Sequence, residues 1–190
     1  MNKYTALVFS AFLIACQPAL AVTIEGVDIP DTFTQANGGQ ALQLNGAGIR
    51  KKFFMDIYIG ALYLPAKTPD SDAILSDSGA ASVLMHFLYS EVSKKKIIGG
   101  WNDGLKANLD PDAMQSLAAD LERFNALFRT VEKGETIRID YTPGTGTEVR
   151  INGELQGAVA GNDFYRALLK VWLGPRPVSK PLKKAMLGTD

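Results

Sequence analysis

Cysteine and histidine are almost missing from this chain: 190 residues hold one of each, Cys16 and His86. Cys16 lies in an N-terminal apolar stretch, so a chain cleaved beyond it keeps no thiol. That excludes a disulfide framework, a thiol nucleophile and a cysteine metal site, even in an oxidising compartment. A lone histidine with no thiol argues against zinc. No cluster of carboxylates suggests another metal, and no cofactor is expected. An excess of one charge sign is lacking as well. Lys+Arg and Asp+Glu each total 20, for a net charge of zero. Nothing in that balance points to nucleic acid or to a polybasic membrane contact. Function must be read from sites.

Long apolar runs are also absent. The one at the start, Tyr4 to Ala15, is too short to span a bilayer. It follows the positively charged Met1-Asn2-Lys3 and precedes Ala19-Leu20-Ala21, a small-x-small cleavage pattern. Residues 1–21 therefore read as a secretory signal peptide, and the mature chain is expected to begin at Val22 with no transmembrane segment. An export reading implies a soluble periplasmic protein. A competing reading takes Leu13-Ile14-Ala15-Cys16 as a lipobox, which would anchor the protein by a lipid on Cys16.

Hydrophobic content of 46% and charged content of 21% are those of an ordinary globular protein. One domain is expected over 22–190. Val22 to Ile29 reads as a strand ending at Pro30-Asp31, and Asn37-Gly38-Gly39 as a tight turn. Gln40 to Asn45 is a second strand, after which Gly46-Ala47-Gly48 bends the chain. Phe53 to Leu64 is apolar on both faces, which predicts a central strand. Asp70 to Leu75 predicts a short helix. Ser82 to Tyr89 predicts a strand with Val83, Met85 and Phe87 on one face and Leu84, His86 and Leu88 on the other. His86 reads as a buried or helix-covered side chain.

Lys94 to Leu109 has helical spacing through Ile97, Ile98, Trp101, Leu105 and Leu109, weakened by Gly99-Gly100. Such a pair in mid-helix permits close approach of another element or a ligand. Asp110-Pro111 starts a further helix with its stripe through Phe128. Glu135 to Tyr141 alternates as a strand. Thr147 to Ile151 and Glu154 to Val159 flank Asn152-Gly153, the strongest short hairpin signal. Asn162 or Asp163 caps a helix running to Leu173, and Ser179 to Leu187 is a last one. Strands, helices, a meander and helices again imply α+β with an antiparallel sheet covered on one face.

The segment Leu44 to Pro65 carries the most chemistry. Arg50 supplies a charge that stays on at any working pH, just after a glycine-rich bend. Tyr58 and Tyr63 follow on an apolar strand. The combination suits a carboxylate or a developing oxyanion at the mouth of a hydrophobic pocket. Ser90, Glu91 and Ser93 form no nucleophile system, and Gly144-Thr145-Gly146 lacks the lysine of a phosphate loop.

Gly46 to Arg50, Ile57 to Leu64, Tyr89 to Ser93 before Trp101, and Phe164 to Gly174 after the Asn152-Gly153 hairpin together resemble the chalcone isomerase family. The likeness is to its bacterial exported branch and covers nearly all of the mature chain. It implies an open-faced β-sandwich, a large antiparallel sheet carrying a layer of helices, with a cleft between them. Plant members of this family close a flavanone ring, whereas others are non-catalytic and hold a fatty acid by an arginine and a tyrosine. The resemblance puts the family arginine on Arg50. It puts Tyr58 where isomerases hold threonine, and the catalytic tyrosine on Tyr89. The isomerases' lysine and asparagine fall on Val92 and Lys96. The substrate-tuning position of the C-terminal helix falls near Tyr165.

Half of the donor set for cyclisation is thus missing. The leading expectation is a non-catalytic protein that binds a fatty acid or similar apolar carboxylate through Arg50, Tyr58, Tyr89, Lys96 and Tyr165. One alternative is an isomerase or intramolecular lyase with Arg50 at the oxyanion and Tyr89 as general acid. A second is an envelope interaction module. The binding reading meets an obstacle: on a straight strand Arg50 and Tyr58 would lie about 26 Å apart. They can share a ligand only if Lys51-Lys52 forms a reversal or bulge.

Overall fold

The structure is a computed structural model that describes residues 21–36 and 39–189. The segment read as a signal peptide and Cys16 lie outside the described residues, Ala21 excepted, as does most of the Asn37-Gly38-Gly39 turn. In chain order the elements are β1 (Ala21–Ile24), β2 (Val27–Pro30), β3 (Thr32–Thr34), β4 (Ala41–Lys52), β5 (Met55–Leu64), α1 (Ser71–Ser76), β6 (Ala81–Phe87) and β7 (Glu91–Val92). There follow α2 (Lys94–Asn108), α3 (Pro111–Ser116), α4 (Ala118–Ala126), β8 (Val131–Glu132), β9 (Thr136–Thr142), β10 (Gly146–Ile151), β11 (Glu154–Val159), α5 (Asn162–Leu173) and α6 (Lys180–Met186).

Seven of these strands form one antiparallel sheet in the order β11-β10-β9-β6-β5-β4-β3. β5 lies inside it with both faces covered, which explains its apolar sequence from Ile57 to Leu64. The inner face presents Tyr58, Leu62, Val83, Met85, Phe87, Ile137 and Ile139 to the helices. From α2 come Ile97, Trp101 and Leu105, and from α5 come Phe164, Leu168 and Trp172. Trp101 packs edge-on against both Phe124 and Trp172, with centroids 5.7 and 5.5 Å apart. The two faces of β6 are divided as their alternation predicts.

The outer face is partly covered too. Ile29, Leu42, Ile59, Tyr63 and Leu84 form a second apolar cluster there. The Arg138 guanidinium lies 3.6 Å from the centroid of the Phe33 ring, a cation–π contact between β9 and β3. His86 is half-buried on this outer face, where no helix among the described residues covers it; burial lowers its pKa. Tyr63 is fully buried here and donates its hydroxyl proton to the Pro30 carbonyl.

Several boundaries differ from expectation. Val22 to Ile29 is a hairpin, because Glu25 and Gly26 both take positive φ and reverse the chain. Gly46-Ala47-Gly48 does not end a strand; it lies within the twelve-residue β4. Its glycines instead let α6 lie directly on the sheet. A Cβ at Gly46 would collide with the Ala185 carbonyl, and one at Gly48 with the Ala185 methyl. Phe53 and Phe54 belong to a turn, so β5 starts at Met55. The helix from Asp110 breaks at Leu117 into α3 and α4. β3, β7 and β8, at two or three residues, are too short for any periodicity.

Local signals did hold where side chains bond to nearby backbone. Asp70 accepts from the Asp72 and Ala73 amides, and Asp110 accepts from Ala113 at 2.8 Å, whereas neither Asn162 nor Asp163 caps α5: Gly161 holds that N-cap with no side-chain hydrogen bond. Asn152 and Gly153 have φ of 51° and 84°, the left-handed pair that closes the β10–β11 hairpin.

Candidate ligand-binding cleft

β4 and β5 are joined by the Phe53-Phe54 turn, and their register shifts between Arg50 and Lys51. The shift is a bulge, and it sets Arg50 directly opposite Tyr58. The Arg50 guanidinium carbon lies 5.8 Å from the centroid of the Tyr58 ring. A pair eight residues apart in sequence thus meets across the hairpin, and the separation expected for a straight strand does not arise.

Tyr58 is buried on the inner face, where the Trp172 indole N–H of α5 donates to its hydroxyl at 3.0 Å. With its oxygen accepting from Trp172, the hydroxyl keeps its own proton for another acceptor. Burial raises the Tyr58 pKa, opposed more weakly by the Arg50 charge and the Trp172 hydrogen bond. Tyr58 is therefore a neutral donor at working pH. Arg50 is partly exposed and takes no part in the ion pairs among the described residues. A fixed cation without a carboxylate partner beside an oriented hydroxyl is suited to receive a carboxylate.

Arg50 stands where two cavities meet between the sheet and α2. The outer cleft has a volume of about 610 Å³ and is walled by Ile57, Tyr89, Val92, Lys96, Gly100 and Val178 among others. This is in the usual range for small-molecule sites. A smaller cavity of about 70 Å³ lies behind it, reaching Tyr58, Met85, Phe87, Ile97 and Trp101. Arg50, Val92, Lys96 and Gly100 border both. The inner walls are apolar, and the polar groups gather toward the mouth. The buried Trp101 indole N–H, at the inner cavity, has no hydrogen-bond partner among the described residues.

The Gly99-Gly100 pair of α2 lines the cleft, and a Cβ at either position would meet nothing within 4 Å. The open space beside them is the cleft itself. Close helix packing is served by another glycine: a Cβ at Gly104 would fall 2.8 Å from Val171 of α5.

Arg50, Tyr58, Tyr89 and Lys96 thus surround one site, and Tyr165 does not join them. Its ring stacks on Tyr141 with centroids 4.8 Å apart, beside a separate cavity walled by Leu64, Ala73 and Leu169. Burial raises its pKa, reinforced by Asp140 and Tyr141. The reason is helical geometry. Tyr165 and Trp172 share a face of α5 but are separated by two turns, about 10 Å along the axis. Only Trp172 is level with Tyr58. Sequence reading missed Trp172, although it stands inside the stretch that carried the resemblance. It also missed Arg176, which borders the cleft from the loop after α5 and has no periodic signal to mark it.

The chalcone isomerase-like family model matches residues 21–188. The chain belongs to the chalcone isomerase-like family. Its fold is also that of an Arabidopsis thaliana fatty-acid binding protein, with a TM-score of 0.66 at 16% identity. That similarity covers 88% of this chain and 96% of the plant one. Comparison with curated protein sequences gives no match. Within the family's frame, Val92 puts a buried apolar side chain on the cleft wall where the resemblance aligns the isomerases' lysine. Lys96, in the first turn of α2, adds an exposed ammonium at the same wall.

Proposed function

We propose that this protein is an exported, non-catalytic carrier of a fatty acid or similar apolar carboxylate. The observation that carries the reading is the Arg50–Tyr58 pair at the junction of an apolar inner cavity and an open cleft. In this reading Arg50 neutralises the carboxylate, Tyr58 donates a hydrogen bond to it, and the chain lies along the apolar walls. The fatty-acid binding of the plant protein of the same fold supports it. Export to the periplasm is supported by the N-terminal sequence.

Native mass spectrometry of the protein purified without detergent tests the reading. A long-chain acid at one per protein, lost in Arg50→Ala with the fold intact, is the expected result. A protein that is empty, that takes up no added fatty acid, or whose affinity is unchanged in Arg50→Ala would overturn it.

Lys96 favours one second reading. With Arg50 and Tyr89 it completes a set of donors around the cleft that could serve an isomerase or intramolecular lyase. Conversion of a bound small molecule that is abolished in Tyr89→Phe would move the assignment there.

A further inference from the structure

The most exposed apolar side chains among the described residues are at the mouth of this cleft. Phe53 is 84% exposed and Phe54 fully so, in the turn between β4 and β5. Met55 follows at 38%. Among the described residues Phe87, Phe124, Phe128 and Phe164 are buried and Phe33 is half-buried on the outer face, yet two adjacent phenylalanines stand in water at a hairpin tip. Phe53 also takes a φ of 56°, a left-handed conformation that a bulky residue seldom adopts. Nothing in the packing of the hairpin accounts for the pair.

The charge around the tip is not neutral, although the whole chain is. Arg50, Lys52, Lys96 and Arg176 border the cleft against two carboxylates, Glu91 and Asp103. Exposed Lys94 and Lys95 continue the cationic side at the start of α2. Lys51, also exposed, is paired with Asp56 at 3.0 Å. Projecting aromatic side chains ringed by cations match a surface with an apolar interior and an anionic face.

We infer that the Phe53-Phe54 hairpin tip docks this protein on an anionic lipid bilayer, with the cleft mouth turned toward the membrane. The phenylalanines enter the acyl boundary while Lys52 and its neighbours meet the headgroups. Phe53 belongs both to the tip and to the cleft wall, so a docked cleft opens at the bilayer surface. The docking stands on the hairpin itself; filling of the cleft from the bilayer rests on the carboxylate-binding reading above.

Flotation with vesicles of phosphatidylglycerol and phosphatidylcholine, beside vesicles of phosphatidylcholine alone, tests the docking. Wild type should float with the anionic vesicles and release as salt is raised. Phe53→Ser/Phe54→Ser should bind about tenfold more weakly or worse. Because all variants share one N-terminus, any membrane affinity of that segment cancels in the comparison. Equal flotation of wild type and the double variant would overturn the inference. So would failure of wild type to float, or a concentration-dependent dimer that Phe54→Ser dissolves, which would make the tip a contact between copies. Phe54, which is not on the cleft wall, separates the two proposals. Phe54→Ser should keep fatty-acid binding from solution and slow its uptake from vesicles. A wild type that floats yet holds no acid would defeat the carrier reading and leave the docking standing.

Discussion

Arg50 faces Tyr58 across the β4–β5 hairpin, its guanidinium carbon 5.8 Å from the tyrosine ring. The pair owes its geometry to one bulge and one turn, and its polarity to a third residue. Trp172, 114 positions beyond Tyr58, saturates one side of the hydroxyl and leaves the proton free. A cation and a hydroxyl donor are thereby fixed at the boundary between an apolar cavity and an open cleft.

Tyr58→Phe removes the acceptor of the Trp172 N–H. A buried donor left unpaired costs about 1–3 kcal/mol. The variant should lose stability in that range by urea denaturation and should also bind a carboxylate ligand more weakly. A stability equal to wild type would show that water replaces the hydroxyl.

Gly100 sets stability against binding. Gly100→Ala should stabilise α2 by about 1 kcal/mol through helix propensity, since the new methyl meets no protein atom within 4 Å. Gly100→Leu should keep the fold but occupy the ligand's space. Thermal denaturation and fatty-acid titration of both variants check the two halves. Unimpaired binding by Gly100→Leu would place the ligand elsewhere.

α6 rests on bare backbone at Gly46 and Gly48 of β4. Gly48→Val should force α6 off the sheet and destabilise the protein by about 1–3 kcal/mol. Chemical denaturation reads the loss. Hydrogen exchange should show it first in the amides of α6, because that helix depends most on the contact.

Acid should weaken the β8–β9 corner. Glu135 receives two hydrogen bonds from Arg129, at 3.0 and 2.7 Å, one from the Glu132 amide and one from Asn152. The Arg129 hydrogen bonds lead in pulling its pKa from 4.5 to about 2. A carboxylate lowered on folding stabilises the protein fully above its unfolded value. That contribution falls as pH drops from about 4.5 through about 2. Glu135→Gln should therefore flatten the acid limb of the stability profile between those values. An unchanged limb would assign acid lability to other carboxylates.

Much of the scaffold was legible because its signals are local. Asn152-Gly153 closes a hairpin through the φ values that two residues prefer. Asp70 and Asp110 cap helices by bonding amides two or three positions away. The two faces of β6 follow from alternation alone. Where the reading failed, the deciding contact was distant. Gly46 and Gly48 looked like a bend because glycine is a turn residue, and only the arrival of α6 explains glycines within the continuous strand β4. The β1–β2 hairpin was missed because Glu25 is an uncommon residue for a left-handed turn position.

The site divides in the same way. The amino-acid sequence by itself determined that a permanent cation, two tyrosines on an apolar strand and a glycine pair on a helix were available. It also carried enough ordered similarity to indicate the family. Tertiary structure decided which of these groups meet. The register of one hairpin joined Arg50 to Tyr58, and two turns along α5 separated Tyr165 from them and delivered Trp172 instead. Spacing along a strand or helix follows from the backbone alone. Which residue is level with which across a packed interface depends on how the elements dock, and docking is set by contacts more than a hundred residues apart.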